Sequence, residues 1–417
     1  MSLGYLDLND CNVQLWHGTT RVQSPAYALL QGGDYLFGNS ARAAARIQPR
    51  NINTRFWWQL GTEALQPALG KARHTGDLAH AHLQDLYAAA ERPGEILLAV
   101  PGSMQNAQLS LLLGIMHQCS FDPVGLVNRS VALGSLYASG ETLWHLELQL
   151  HQSLLTHLVR RGERLELERT VVLPGHGILQ LQDRLADIVA GAFVRQTRFD
   201  PRRRADSEQS LYDALPAALE RAQRDAEITI ELQGYQARLA QADLAPVGQQ
   251  LFASARQSLG DSAAAMIADP VAALLPGLEA SLGKVQVLDP EDIRCALEEH
   301  LDSLLQRSSN LNYTTSLPCL CAAQLSAPRQ EAGNAPAAEP APTHLLAGNL
   351  AEPLCGARVE LAEGAGLVLK EGHWHLHCGD ATATLNGATA PDGCAVALGD
   401  RIGINGNPPI LLIRVEG

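Results

Sequence analysis

Apolar and polar positions along this chain sort into short runs with strand-like alternation and longer runs with a helical repeat. An apolar run from Leu3 to Leu8, a polar gap, and a second run from Asn12 to His17 predict a β-hairpin. Farther on, Ile96 to Val100 reads as a buried strand ended by a turn at Pro101-Gly102, with a helix from about Gln105 to Cys119. A short strand then leads into a helix from about Arg129 to Ala138. Three strands, "TLWHLELQL", "SLLTHLVRRG" and "RLELERTVVL", follow at hairpin spacing, and the alternation Leu146, Leu148, Leu150 predicts that the first is half-buried. Helical patterns return in Leu179 to Gln196 and Glu208 to Arg224, with Glu and Arg on the polar face. A second hairpin, "AEITIEL" with "YQARLAQ", precedes a helix from Pro246 to Leu259. The segment Pro270 to Leu282 contains Pro276, and a strand Val285 to Leu288 and a helix Glu291 to Leu305 follow. Meandering strands followed by helices, twice over, predict an α/β architecture with two related halves.

The pattern stops between Ala322 and Pro342, where "AAQLSAPRQEAGNAPAAEPAP" has no apolar periodicity and cannot bury a face. An extended linker over 319–342 is expected. It separates a region 1–318, with halves of about 1–138 and 139–318, from a small region 343–417. The latter carries short strands joined by Gly, Asn and Asp turns, which predicts an all-β sandwich.

Composition narrows the partners. Of 417 residues, 46% are hydrophobic and 18% charged, so most of the chain should fold. A net charge of -13 opposes phosphate backbones and leaves nucleic acid out of the expected partners. The run Arg202-Arg203-Arg204, without interleaved aromatics, reads as a solvated patch. No apolar stretch reaches the roughly 20 residues that span a bilayer, and the start lacks a signal-peptide pattern, so a cytoplasmic protein without membrane contact is expected. Eight scattered Cys read as reduced thiols. His373, His375 and His377 would share one strand face, either as a solvated face or as a zinc or nickel site. Cys319-Leu320-Cys321 has too few partners for a zinc site.

Three collinear stretches resemble one family. Val100 to Ala138 lies without a gap on the pattern V-P-A-Y-F-N-D-A-Q-R through N-E-P-T-A-A-A-L-A-Y-G, matching at Val100, Pro101, Ala107, Gln108, Asn128, Ala132 and Tyr137. Phe37 to Gly61 follows G-x-x-A…P-x-N-T…L-I-G through Gly38, Ala41, Pro49, Asn51 and Gly61. Glu147 to Thr170 can be laid on the segment opening with D-L-G-G-G-T, in a register that continues to Gly177, Arg184 and Leu185. Residues 1–318 thus resemble the actin-type ATPase domain of the heat-shock chaperones. The resemblance implies a duplicated, ribonuclease H-like fold and a cleft for ATP and magnesium. The end of the chain, "LNGATAPDGCAVALGDRIGINGNPPILLIRV", resembles the closing half of a forkhead-associated domain. Neither of that family's phosphothreonine-gripping contexts occurs between Leu354 and Trp374, which leaves only Arg358 for such a role.

ATP hydrolysis in this fold needs Gly-rich hairpins whose amides approach the phosphates, and carboxylates facing hydrated magnesium. Where the family has D-L-G-T-T-N-S, this chain has "DLNDCNV". Asp7 keeps the carboxylate, Asn9 takes the glycine position, and Asp10 places a negative charge where a phosphate would lie. The turn reads either as a metal site or as a polar hairpin turn. In the second hairpin Glu147 stands for the aspartate while Gln149, Leu150 and His151 replace all three glycines. The family's lysine corresponds to Trp57 and its N-E-P glutamate to Arg129, which would pair with an anion or bridge the cleft. The adenosine-side motif is unrecognisable in "ADPVAALLPG", where Pro276 alone keeps a place. Cofactor-binding residues are therefore expected only as vestiges at Asp7, Asn9, Asp10 and Glu147, without catalytic residues. The expected function is a non-catalytic, protein-binding scaffold requiring no cofactor. A divergent ATP-binding chaperone using ATP and magnesium, and a nucleotide-independent holding chaperone, are the alternatives.

Overall fold

A computed structural model of the chain describes residues 3–260, 265–306, 311–320 and, with short interruptions, 342–413. The chain divides into two compact units, Met1–Ala327 and Pro328–Gly417. Most of the expected linker, 321–341, together with Cys321 and Cys355, lies outside the described residues.

The first unit is mixed α/β and is built on two six-stranded sheets that share one order over five strands, the sixth being added at opposite edges. In the first sheet Leu3–Asp7, Val13–His17 and Thr20–Ser24 form an antiparallel meander. Glu95–Val100 then pairs parallel to Leu3–Asp7, and Asp122–Asn128 pairs parallel to Glu95–Val100. In the second sheet Thr142–Leu148, Gln152–Arg161 and Arg164–Pro174 form the meander, and Ala265–Ala268 and Val285–Val287 add in parallel. One segment serves both sheets: Tyr313–Thr314 pairs with Asp122–Asn128, and Ser316–Pro318 pairs with Arg164–Pro174.

Helices cover the sheets because the central strands are apolar on both faces. Thr75–Ala89 and Asn106–Met116 close one core through Leu78, Leu86, Leu109 and Leu112. Ile178–Thr197, Ala205–Ala222 and Gln241–Leu259 close a second. A third core joins the halves: helix Arg129–Tyr137 carries Val131 and Leu133 against Leu97 and Val127 of the first sheet and Leu143 and Leu158 of the second. That helix approaches so closely that a Cβ on Gly134 would stand 2.5 Å from the Leu158 side chain.

Several boundaries differ from the sequence reading. Thr142–Leu148 ends before Leu150, and it is buried on both faces, since His145 and Glu147 are as inaccessible as Leu146 and Leu148. Helix Gln241–Leu259 begins upstream of Pro246 and contains it, with Asp243 accepting the Ala240 N–H in its first turn. The expected helix 291–305 is interrupted at His300. The strand pairs Ala28–Gln31 with Asp34–Phe37 and Ala64–Leu69 with Ala72–His74 had no clear sequence signal. Among the described residues, no helix is long and apolar enough to cross a membrane.

The second unit is an all-β sandwich of a six-stranded and a four-stranded sheet around Leu345, Leu367, Trp374, Leu376, Ile402 and Leu412. His375 and His377 hydrogen-bond through Nδ1 to the Gly393 carbonyl and Asp392, whereas the His373 side chain lies outside the described residues.

Leu317, on the segment shared by both sheets, is 1% exposed within the third core. Leu317→Ala should cost about 2–5 kcal/mol, read as a lower urea midpoint with an unchanged slope. An unaltered midpoint would mean that the segment is not part of the cooperative unit.

Candidate functional site

The two hairpin loops, 8–12 and 149–151, face each other at the carboxyl ends of the parallel strands, where α/β sheets place ligands. Asp7 ends Leu3–Asp7, Glu147 lies near the end of Thr142–Leu148, and Asp269 follows Ala265–Ala268. Arg129 opens a helix directly after Asp122–Asn128, with Asn128 capping it by accepting the Val131 N–H. Four strand ends therefore deliver three carboxylates and one guanidinium to one buried point.

Arg129 sits among the carboxylates. Its Nε donates to Asp7 Oδ1 at 2.8 Å, its Nη1 donates to Asp269 Oδ1 at 2.9 Å, and Glu147 Oε2 stands 3.5 Å from Nη1. His145 Nε2 is 3.5 Å from Asp269 Oδ1, and its Nδ1 is hydrogen-bonded to Ser130 Oγ. Of the two readings open for Arg129, the structure holds a salt bridge across the two halves.

One cation does not balance three carboxylates, and burial decides where protons stay. Burial raises Asp7, with the Arg129 charge and hydrogen bond opposing it. Burial pushes Glu147 up to about 7 against the pull of Arg129. For Asp269 burial is outweighed by Arg129 and His145, and the carboxyl is held down at about 2. Burial thus favours the neutral form at Asp7 and Glu147, while Arg129 and His145 hold Asp269 ionised. Among the described residues, Asp7 Oδ2 and Glu147 Oε2 have no hydrogen-bond partner.

The remaining loop residues bind each other. Asn9 Nδ2 donates to the Leu148 carbonyl at 3.1 Å and to Asp269 Oδ2 at 3.3 Å, while its Oδ1 accepts the Cys11 N–H. Asp10 Oδ1 accepts the Leu150 N–H at 2.7 Å, and burial raises its carboxyl to about 7 despite that bond. Leu150, at a position where the resembled family has glycine, is 2% exposed and packs into the core of the first half with Leu8 and Val13. His151 Nε2 hydrogen-bonds to the Thr54 carbonyl, and its ring stacks on Trp58. Gln149 Nε2 donates to Glu147 Oε1. Helix Ile178–Thr197 closes the second loop from behind, its first amides donating to the Gln149 and Leu150 carbonyls.

All four expected residues, Asp7, Asn9, Asp10 and Glu147, converge here. Trp57 does not join them: it turns into the first-half core and donates to His82 Nδ1 at 3.0 Å. Asp269 and His145 went unrecognised, and the one signal for Asp269 was its place before Pro270 in the stretch that replaces the adenosine motif. Two cavities flank the first loop. Leu8 and Asp10 line one of about 900 Å³, while Asp7, Asn9 and Cys11 line one of about 320 Å³.

Two outcomes follow. Arg129→Met should destabilise the protein at pH 7 by about 3–5 kcal/mol, because the carboxylates stay buried without their cation. The loss should shrink as acid protonates them. Asp10 is raised in the fold, so its stabilising contribution is complete below its ordinary value of 3.8 and is lost as pH rises through about 7. Asp10→Asn, which keeps an acceptor for Leu150, should remove up to about 1.4 kcal/mol per pH unit from the slope of unfolding free energy across that window. Equal slopes in urea titrations of both proteins would contradict this. In comparisons with known proteins, no family model and no curated protein matches the chain.

Proposed function

We propose that residues 1–318 form a degenerate actin-like ATPase frame related to the heat-shock chaperones, and that the protein is a non-catalytic scaffold that binds another protein. The observation that carries this reading is the ion pair of Arg129 with Asp7 and Asp269. In a magnesium-nucleotide site, carboxylates face a hydrated cation and loop amides face phosphate oxygens. Here the carboxylates face a guanidinium, and the Leu150 N–H faces the Asp10 carboxylate. A metal ion and a phosphate would each have to displace a buried partner of the right charge, and Leu150 occupies the space that a glycine would leave. ATP and magnesium do not fit these residues, and no catalytic step is derived through them.

The strand order common to both sheets supports the duplicated frame. For the second unit the reading is a forkhead-associated-like module that contacts a protein partner, supported by its two-sheet sandwich. The runner-up, a divergent ATP-binding chaperone, draws support from Asp7 Oδ2, which has no hydrogen-bond partner among the described residues.

Titration calorimetry with ATP and magnesium separates the two. The scaffold reading expects no saturable heat and no phosphate release. Micromolar binding with turnover, abolished by Asp7→Asn, would establish the runner-up instead.

A further inference from the structure

The cavity of about 900 Å³ lies in the size range of ligand sites, and its chemistry differs from that of the ionic centre beside it. Its charged lining residues are Asp10, Arg55 and Glu63. Asp10 is taken up by the Leu150 amide, and Glu63 offsets Arg55 in sign, so the wall offers no surplus of positive charge to an anion. Side-chain amides dominate its polar surface instead: Gln59, Gln66, Gln105, Gln108, Gln149 and Gln152 all line it. An amide presents the same donor and acceptor pair as a peptide group.

Between the amides lie Trp58, Met104 and Val172, of which Trp58 is 37% and Val172 43% exposed. Unbranched Met104 adapts to varied side chains. Trp58 already has its ring stacked on His151 at 4.9 Å, so one face is occupied, which suits an apolar side chain better than a sugar ring sandwiched between aromatics. Ala64, Leu65 and Gln66 in the wall belong to the strand Ala64–Leu69, which among the described residues has a single neighbour, Ala72–His74. A strand paired on one side can accept another extended chain.

The wall is held in one orientation by a hydrogen-bond relay into the buried centre. Trp58 Nε1 donates to Gln152 Oε1 at 3.1 Å, Gln152 Nε2 to Gln149 Oε1 at 2.9 Å, and Gln149 Nε2 to Glu147 Oε1 at 2.8 Å. Gln149 and Gln152, and Trp58 through them, are thus fixed by partners on the Glu147 side, which lowers the entropy lost when a ligand binds.

We propose that this cleft docks an extended, uncharged segment of polypeptide, its peptide groups meeting the exposed Gln59, Gln66 and Gln105 amides and its apolar side chains meeting Trp58, Met104 and Val172. The assignment rests on the scaffold reading above and gives that reading a docking place in the first unit.

The test uses the full-length protein and a fluorescein-labelled decapeptide of alternating valine and serine, blocked at both ends, followed by fluorescence polarisation. Matched peptides carry two lysines or two glutamates, and unlabelled maltoheptaose serves as competitor. The neutral peptide should bind saturably, and both charged forms should bind roughly tenfold more weakly. Ala107→Arg, at an exposed lining position, should weaken binding by roughly tenfold or more, as should Trp58→Ala. Absence of saturable binding, equal binding of the charged peptides, indifference to both substitutions, or displacement by the saccharide would each overturn the assignment. ATP calorimetry keeps the two readings apart. An inert response to ATP without peptide binding removes the cleft assignment alone, whereas ATP turnover removes the scaffold reading itself.

Discussion

A guanidinium inserted between carboxylates from both halves of the first unit holds its two hairpin loops together. Arg129 comes from the first half, as does Asp7, while Asp269 and Glu147 come from the second. Bringing three carboxylates out of water costs far more than any single hydrogen bond returns, so the group is tenable only with the cation present, and burial raises the Asp7 and Glu147 carboxyls against its pull. Such a cluster is weak evidence of added stability, since apolar residues of equal volume often serve as well. What it fixes is position. With the strand ends tied to one point, Asn9 reaches Leu148 and Asp269, Asp10 reaches the Leu150 amide, and the Leu150 side chain enters the opposite core.

Much of the architecture was legible because the central strands are short apolar runs bounded by turn residues, a signal that does not depend on distant partners. Asp7, Asn9, Asp10 and Glu147 were found through the register of two hairpins, and they do meet. Asp269 was not found, because its role comes from the parallel pairing of Ala265–Ala268 with Thr142–Leu148, a contact between segments more than a hundred residues apart. The destination of Trp57 was hidden for a related reason. Its partner His82 lies on helix Thr75–Ala89, which was not among the expected elements, although Leu78, Ala79, Leu83 and Leu86 recur on one face with it. Leu150 was read as the last alternating residue of a strand. It is a turn residue, and it is buried because the opposing half supplies the core.

Glycine leaves backbone amides open to a ligand, whereas Asn9, Gln149 and Leu150 bring side chains that need partners of their own. Asn9 finds its partners across the gap in the Leu148 carbonyl and Asp269, and the Leu150 N–H meets Asp10, whereas Gln149 bonds Glu147 and Gln152 within its own hairpin. The first loop then becomes a partition, with Asp7, Asn9 and Cys11 on one cavity and Leu8 and Asp10 on the other. Charge is concentrated at the ionic centre and on its own side of that partition, where Asp7, Asp269, Arg21 and Arg129 line the smaller space. The larger space is lined mainly by amides and apolar groups, with Arg55 and Glu63 opposite in sign. The contacts that gather charge at the ionic centre thus leave beside it a surface whose polarity suits a neutral chain.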